Sequence, residues 1–274
     1  GVDVHVANGL ADESVATEAE AVQALRIYLQ TITWPKYKPS RFAKQEAWLT
    51  KLACVDADYA HPISVMGLLL SLLDDDAQIF KPLYGTHMVC CFGAIGGHAL
   101  GVIANNGPID VDAAHKTCQF IDRCTVRKIP LLFVMNTTGF QVGRAYESAG
   151  IIKAGSRLVQ YMSNADVPKI TLQIGAGFGA GYYAMCGRSF SPDVMLSWPN
   201  ANVAVMGAKV VADLMVSIKA KKIQKQGKVF SSKQKKALHD KFFQRYEQRS
   251  ASLHVSAQGF DDGIIRPEDT QSVL

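Results

Sequence analysis

Residues 172–188 read LQIGAGFGAGYYAMCGR, with glycine at 175, 177, 179 and 181. Glycine at every second position, between an apolar run and a helix-like stretch, admits three uses. It can cradle a phosphate, as in G-x-G-x-x-G/A loops that bind dinucleotides. It can let two elements approach closely, because no Cβ separates the backbones. It can leave bare the N–H groups of a helix start, which are oriented, unpaired and able to hold an oxygen that gains negative charge. Ala180 and Gly181 stand where glycine run and helix meet, the place the third use requires. The dinucleotide use needs an acid at the end of the next strand, about twenty residues on. Asp193 lies near that distance but precedes the strand expected over 194–198.

Two further loops have a similar character. NTTGFQVGR, residues 136–144, follows the apolar run 129–136, and ANNGPID, residues 104–110, follows the run 98–105. Loops at the ends of neighbouring strands gather on one edge of an α/β sheet, where ligands bind. The usual protein chemistries are missing from the pattern. There is no H-E-x-x-H, no Cys/His spacing for zinc and no G-x-S-x-G, so no metal site is expected. The seven histidines are scattered. A glycine-lined site without an acid, base or nucleophile points to chemistry carried by a cofactor.

The elements that must position these loops are legible in outline. Strands are expected over 87–92, 98–105, 129–136, 167–174, 194–198 and 201–206. Helices are expected over 18–33, 63–73, 112–124, 146–163 and 181–188. Alternation of the two gives an α/β core. Pro35 and Pro39 mark residues 34–60 as a linker. From Val210 the chain is helical and basic, with nine lysines and one acid between Lys219 and Lys241. That run suits a solvated helical face, or contact with phosphates or a partner. A net charge of +5 over 274 residues is too dilute for a nucleic-acid binder. The apolar stretches are too short or too polar for a membrane span. Six cysteines without a C-x-x-C pair read as reduced, buried thiols of a bacterial cytoplasm or mitochondrial matrix.

Five blocks, in order, carry a resemblance: VCCFGAIGGHALGVIANNG, KIPLLFVMNTTGFQVGR, VPKITLQIGAGFGAGYYAMCGR, WPNANVAVMGA and DDGIIRPEDTQSVL. Together they resemble the carboxyltransferase (β) subunit of biotin-dependent acyl-CoA carboxylases, with the strongest likeness to the methylcrotonoyl-CoA carboxylase branch. The resemblance implies a crotonase/ClpP-like ββα-spiral core with peripheral helices. Subunits of this family hold two such halves, and this chain resembles the second. Residues 1–33 then read as the tail of the N-terminal half, 34–60 as linker and 61–274 as the C-terminal, biotin-side domain, as in a fragment or a split subunit.

The implied reaction transfers CO2 from carboxybiotin, carried on a partner's domain, to the enolate of an acyl-CoA. By motif match the Ala180 and Gly181 N–H groups form the oxyanion hole for the biotin ureido oxygen. Gly139, Phe140, Val142, Gly143 and Gly179 fall on the biotin side. Tyr182, Tyr183, Met206, Gly207 and Ala208 fall around the acyl pocket. Tyr183 replaces the aspartate typical of the propionyl and acetyl branches, which favours a methylcrotonoyl-like substrate. Tyr182, Ala184 and the GAKVVA stretch after Met206 depart from the family pattern. Implied partners are the N-terminal carboxyltransferase half, a biotin carboxylase/biotin carrier subunit and further copies in a hexamer-type oligomer. The alternatives are a propionyl- or acetyl-CoA carboxyltransferase, a non-catalytic scaffold half, and a stand-alone hydratase or isomerase that would need its own acid or base.

Overall fold

In the computed structural model, residues 1–32, 64–74, 77–105 and 107–274 are described. The expected linker and Cys54 fall outside them. The core starts from a hairpin. Strands β2 (Met88–Ile95) and β3 (His98–Asn105) pair antiparallel in register from Met88–Asn105 to Ile95–His98. The turn is Gly96–Gly97, both at positive φ, as a two-residue hairpin loop requires. The Asp74 carboxylate accepts from both glycine N–H groups, at 3.0 and 2.8 Å. Every residue of β2 is buried, so its sequence is a continuous apolar run rather than an alternation.

From β3 the chain crosses through α4 (Val111–Val126) to β4 (Leu131–Thr137), then through α5 (Arg144–Ser148) and α6 (Ile151–Asn164) to β5 (Lys169–Phe178). β3, β4 and β5 run parallel. Short strands β6 (Val194–Ser197), β7 (Asn202–Ala204) and β8 (Gly263–Ile264) extend the sheet, and β1 (Gln78–Phe80) lines its other edge. The order is β1-β2-β3-β4-β5-β6-β8, with β7 also on β5. One face packs on α4 and α6 through Phe120, Ile121, Leu158 and Met162. The other packs on α3 (Val65–Leu72) and Trp198. The β2–β3–α4 run is a ββα unit, and the class is the α/β expected. α1 (Val2–Ala7) and α2 (Glu18–Ile32) precede the core.

Two details differ from the sequence reading. The helix expected over 146–163 is two helices, because Gly150 adopts a left-handed conformation (φ 88°) that closes α5 and opens α6. The glycine run is also not a loop: β5 continues through Gly175 and Gly177 to Phe178. There β4 and β5 fall out of step. Met135 pairs with Gln173, yet Thr137 pairs with Gly177, so β5 bulges. The Asn136 side chain fills the gap, its Oδ1 accepting from the Ala176 N–H at 3.0 Å. Beyond the bulge, β5 exchanges its neighbour β6 for β7.

The basic tail forms α8 (Ala208–Lys225) and α9 (Ser232–Ser250), which pack mainly on each other. Ser231 and Gln234 form a capping box that starts α9. All nine lysines of 219–241 are exposed. α10 (Ser252–Ser256) and α11 (Thr270–Val273) complete the chain.

A Cβ on Gly175 would lie 2.5 Å from Asn136 Oδ1. Gly175→Ala is therefore expected to destabilise the protein by about 1–3 kcal/mol, measured by urea unfolding. In the pair with Asn136→Ala the loss should be smaller than the sum of the single losses. Strict additivity would mean that the bulge is not held by this contact.

Candidate functional site

The carboxyl ends of β3, β4 and β5 lie on one edge, and backbone hydrogen bonds tie their loops together. The Ile109 N–H donates to Gly139 O at 3.0 Å, and the Gln141 N–H donates to Ile109 O at 2.8 Å. Within the middle loop, the Gly139 N–H donates to Thr137 Oγ1 at 3.1 Å. The chain leaves β5 by a sharp turn at Gly179 (φ 55°), and α7 (Gly179–Ala184) follows without a linker. The first turn of α7 abuts the middle loop. A Cβ on Gly181 would stand 2.9 Å from Gly139 Cα and from Thr137 Oγ1. No side chain caps α7. Among the described residues, neither the Ala180 nor the Gly181 N–H has a protein acceptor.

Ala180 is exposed and lines two clefts. The first, of about 450 Å3, is walled by Phe140, Val142, Ile151, Ile152 and Val159, with Glu147 as its charged residue. Gly155 forms part of this wall, and the Phe140 ring fills the space where its Cβ would be. The second cleft, of about 470 Å3, is walled by Tyr182, Tyr183, Val203, Val205, Val255 and Phe260, with Arg249 as its charged residue. The arrangement can hold two mostly apolar groups side by side, with the Ala180 backbone between them; Gly181 is buried and lines neither cleft. Neither wall contains a Cys, His or Lys.

The residues singled out in the sequence divide between the clefts. Phe140 and Val142 line the first. Gly139 lies behind it, against Gly181, and Gly143 caps α5. Gly179 lines the second cleft with Tyr182 and Tyr183. Tyr182 is buried, and its hydroxyl accepts from the Arg188 N–H at 3.0 Å. Burial pushes its pKa up. Tyr183 is half exposed and stacks edge-on against Tyr182 and Phe190. Met206, Gly207 and Ala208 do not line the second cleft. Gly207 caps α8 and packs on the Phe178 ring, and Ala208 is buried. Their neighbours Val203, Ala204 and Val205 line it instead. Sequence reasoning missed those three, the α6 wall, and Arg249, Val255 and Phe260.

Groups of three or more potential metal ligands do not occur among the described residues. No described helix is long and apolar enough to cross a membrane. The five described cysteines are free and buried. Burial pushes the Cys90 thiol up to about 12 and Cys118 and Cys186 to about 11, with Cys91 and Cys124 raised further.

The fold that carries this edge is an α/β fold shared with solved carboxyltransferases. The beta subunit of Pseudomonas aeruginosa geranyl-CoA carboxylase superposes with a TM-score of 0.78 at 32% identity, over 100% of this chain and 52% of that one. The transcarboxylase 12S hexamer core, with hydrolysed methylmalonyl-coenzyme A bound, gives 0.86 at 26% identity, over 100% and 53%. In sequence, the mitochondrial methylcrotonoyl-CoA carboxylase beta chain of Dictyostelium discoideum is 35% identical over 280 residues, covering 100% of this chain and 48% of the relative. The family model described as the carboxyl transferase domain matches residues 1–274, and the chain belongs to that family. It spans about half the length of the relatives it matches.

The thiols give an alkaline limit to stability. A buried thiol keeps its proton while the unfolded chain ionises near its usual value of 9.0. Stability is thus intact below about pH 9 and falls as the pH climbs toward 11–12, by up to ~1.4 kcal/mol per pH unit for each thiol. Under reducing conditions the Tm should be clearly lower at pH 10 than at pH 8. Equal values would show that the thiols are not shielded.

Proposed function

We propose that this chain is the biotin-side half of a carboxyltransferase in a biotin-dependent acyl-CoA carboxylase. It would act on an acyl-CoA of the methylcrotonoyl type. The observation that carries this reading is the position of Ala180, whose backbone lies on the divide between two apolar clefts. When bound, carboxybiotin supplies CO2. The first cleft suits such a group: Phe140, Val142, Ile151 and Val159 offer apolar walls to a fused ring and its aliphatic arm. The Ala180 and Gly181 N–H groups would donate to an oxygen that becomes negative as the group gives up CO2. Such donors act in the transition state at little cost of reorganisation. Tyr183, Val205 and Phe260 would receive the acyl portion of the acceptor in the second cleft, and exclude water from it.

The reading requires partners. The donors for the thioester oxygen would come from the N-terminal carboxyltransferase half, and the biotin from a carboxylase/carrier subunit. The likeness to the transcarboxylase 12S hexamer supports a closed ring of copies. The Dictyostelium relative is named as mitochondrial and the geranyl-CoA carboxylase is bacterial, so a bacterial cytoplasm or a mitochondrial matrix suits this chain.

The test uses the chain assembled with its companion half. Acyl-CoA-dependent loss of CO2 from carboxybiotin should be fastest with methylcrotonoyl-CoA, compared with propionyl- and acetyl-CoA. Ala180→Pro removes one donor at a helix position that tolerates proline. It should lower the rate roughly 100- to 1000-fold while the melting temperature holds. An unchanged rate would remove the backbone donor from the mechanism, and no activity with any acyl-CoA would leave a scaffold role.

A further inference from the structure

Arg249 is the charged residue in the wall of the second cleft. It lies in the last turn of α9 and is exposed. Lys241 and Arg245 precede it at four-residue spacing, so three cations share one face of the helix. Among the described residues, the Arg249 guanidinium makes no hydrogen bond or ion pair. Asp240 and Asp262 are engaged elsewhere, Asp240 with its Oδ1 3.4 Å from His239 Nδ1, whereas neither carboxylate oxygen of Asp261 has a hydrogen-bond partner among the described residues. Asp262 is paired with Arg188 and accepts from the Met195 N–H at 2.8 Å. Glu247 is two positions away on the helix, a spacing that does not bring side chains together. Asp261 is buried, at 7% exposure.

The rest of this wall is mostly apolar: Tyr183, Val203, Val205, Val255 and Phe260. A ligand that fills it displaces water from the guanidinium. A neutral ligand leaves that loss uncompensated, whereas an anionic oxygen group restores it with a forked pair of charged hydrogen bonds. A ligand that brings an anionic oxygen to Arg249 while its apolar body fills the wall is thus favoured. We propose that Arg249 is an anion-recognition residue. It pairs with an anionic oxygen group of the thioester whose acyl body lies against Tyr183, Val205 and Phe260. That group is either a carboxylate on the acyl chain or a phosphate of its coenzyme A. The proposal rests on the reading of the second cleft as the acyl-CoA side.

The test is calorimetric binding to the assembly in which the chain is isolated, with methylmalonyl-CoA, propionyl-CoA and propionyl-pantetheine as probes. The proteins are wild type, Arg249→Gln and Arg249→Lys. If the partner is the acyl carboxylate, Arg249→Gln weakens methylmalonyl-CoA by roughly 10- to 100-fold and leaves the other two unchanged. If it is a phosphate, both coenzyme A thioesters weaken equally and propionyl-pantetheine does not. In either case Arg249→Lys recovers part of the loss, and an unchanged melting temperature excludes misfolding. Binding of all three probes within twofold of wild type by Arg249→Gln overturns the role of Arg249 but leaves the cleft assignment standing. Failure of wild type to bind any of them, and methylcrotonoyl-CoA as well, overturns both.

Discussion

The close contact between Gly181 and the Thr137–Gly139 backbone is the constraint on which the site depends. A Cβ at 181 would come 2.9 Å from Gly139 Cα. Only bare backbone lets α7 start directly from β5 and stay flush against the neighbouring loop. The bulge upstream serves the same end. It shifts the last residues of β5 relative to β4, exchanges β6 for β7, and aims Phe178 and Gly179 at the sheet edge. The glycines thus have two uses rather than one. Gly175, Gly177 and Gly181 are close-packing positions, and Gly179 makes the turn that leaves the donors of α7 bare.

From that geometry follows the division of the edge into two clefts. Ile109 holds the loop of Gly139 to Gln141 from one side. The Phe140 ring, seated where a side chain at 155 would be, fixes the first wall. β7 and the α9–α10 corner build the second. Neither wall holds a Cys, His or Lys, and the hydroxyls of Ser156 and Ser189 have no His beside them in those walls; the proposed contribution of the chain is positioning, exclusion of water and electrostatics. This division of labour suits chemistry supplied by a carried cofactor.

Much of the core was legible because its signals are local. β3 and α4 stand close to their expected bounds, since an uninterrupted apolar run and an amphipathic period each report one element. The junction at Ala180–Gly181 was legible as the start of a helix after glycines. The bulge was not, because it depends on Asn136 filling a gap forty residues away in sequence. The split of 146–163 turned on a single left-handed glycine inside a helical pattern. The second cleft was only partly visible. Tyr182 and Tyr183 follow the glycine run, whereas Arg249 of α9, Val255 of α10 and Phe260 in the turn after it reach the cleft through tertiary packing, which no periodicity encodes. Residues 206–208 lie just past the cleft wall, which is built by Val203 and Ala204 of β7 and by Val205 after it, while Gly207 caps α8.

In the proposed reaction, an oxygen that becomes negative sits on the Ala180 and Gly181 N–H groups. A crystal structure of the chain, assembled with its companion half and bound to biotin, addresses this directly. The expected result is a ureido oxygen within about 3.2 Å of both nitrogens, with the fused ring between Phe140 and Val159 in the first cleft. A ring bound in the second cleft, or a ureido oxygen held only by side chains away from residues 180 and 181, would contradict it.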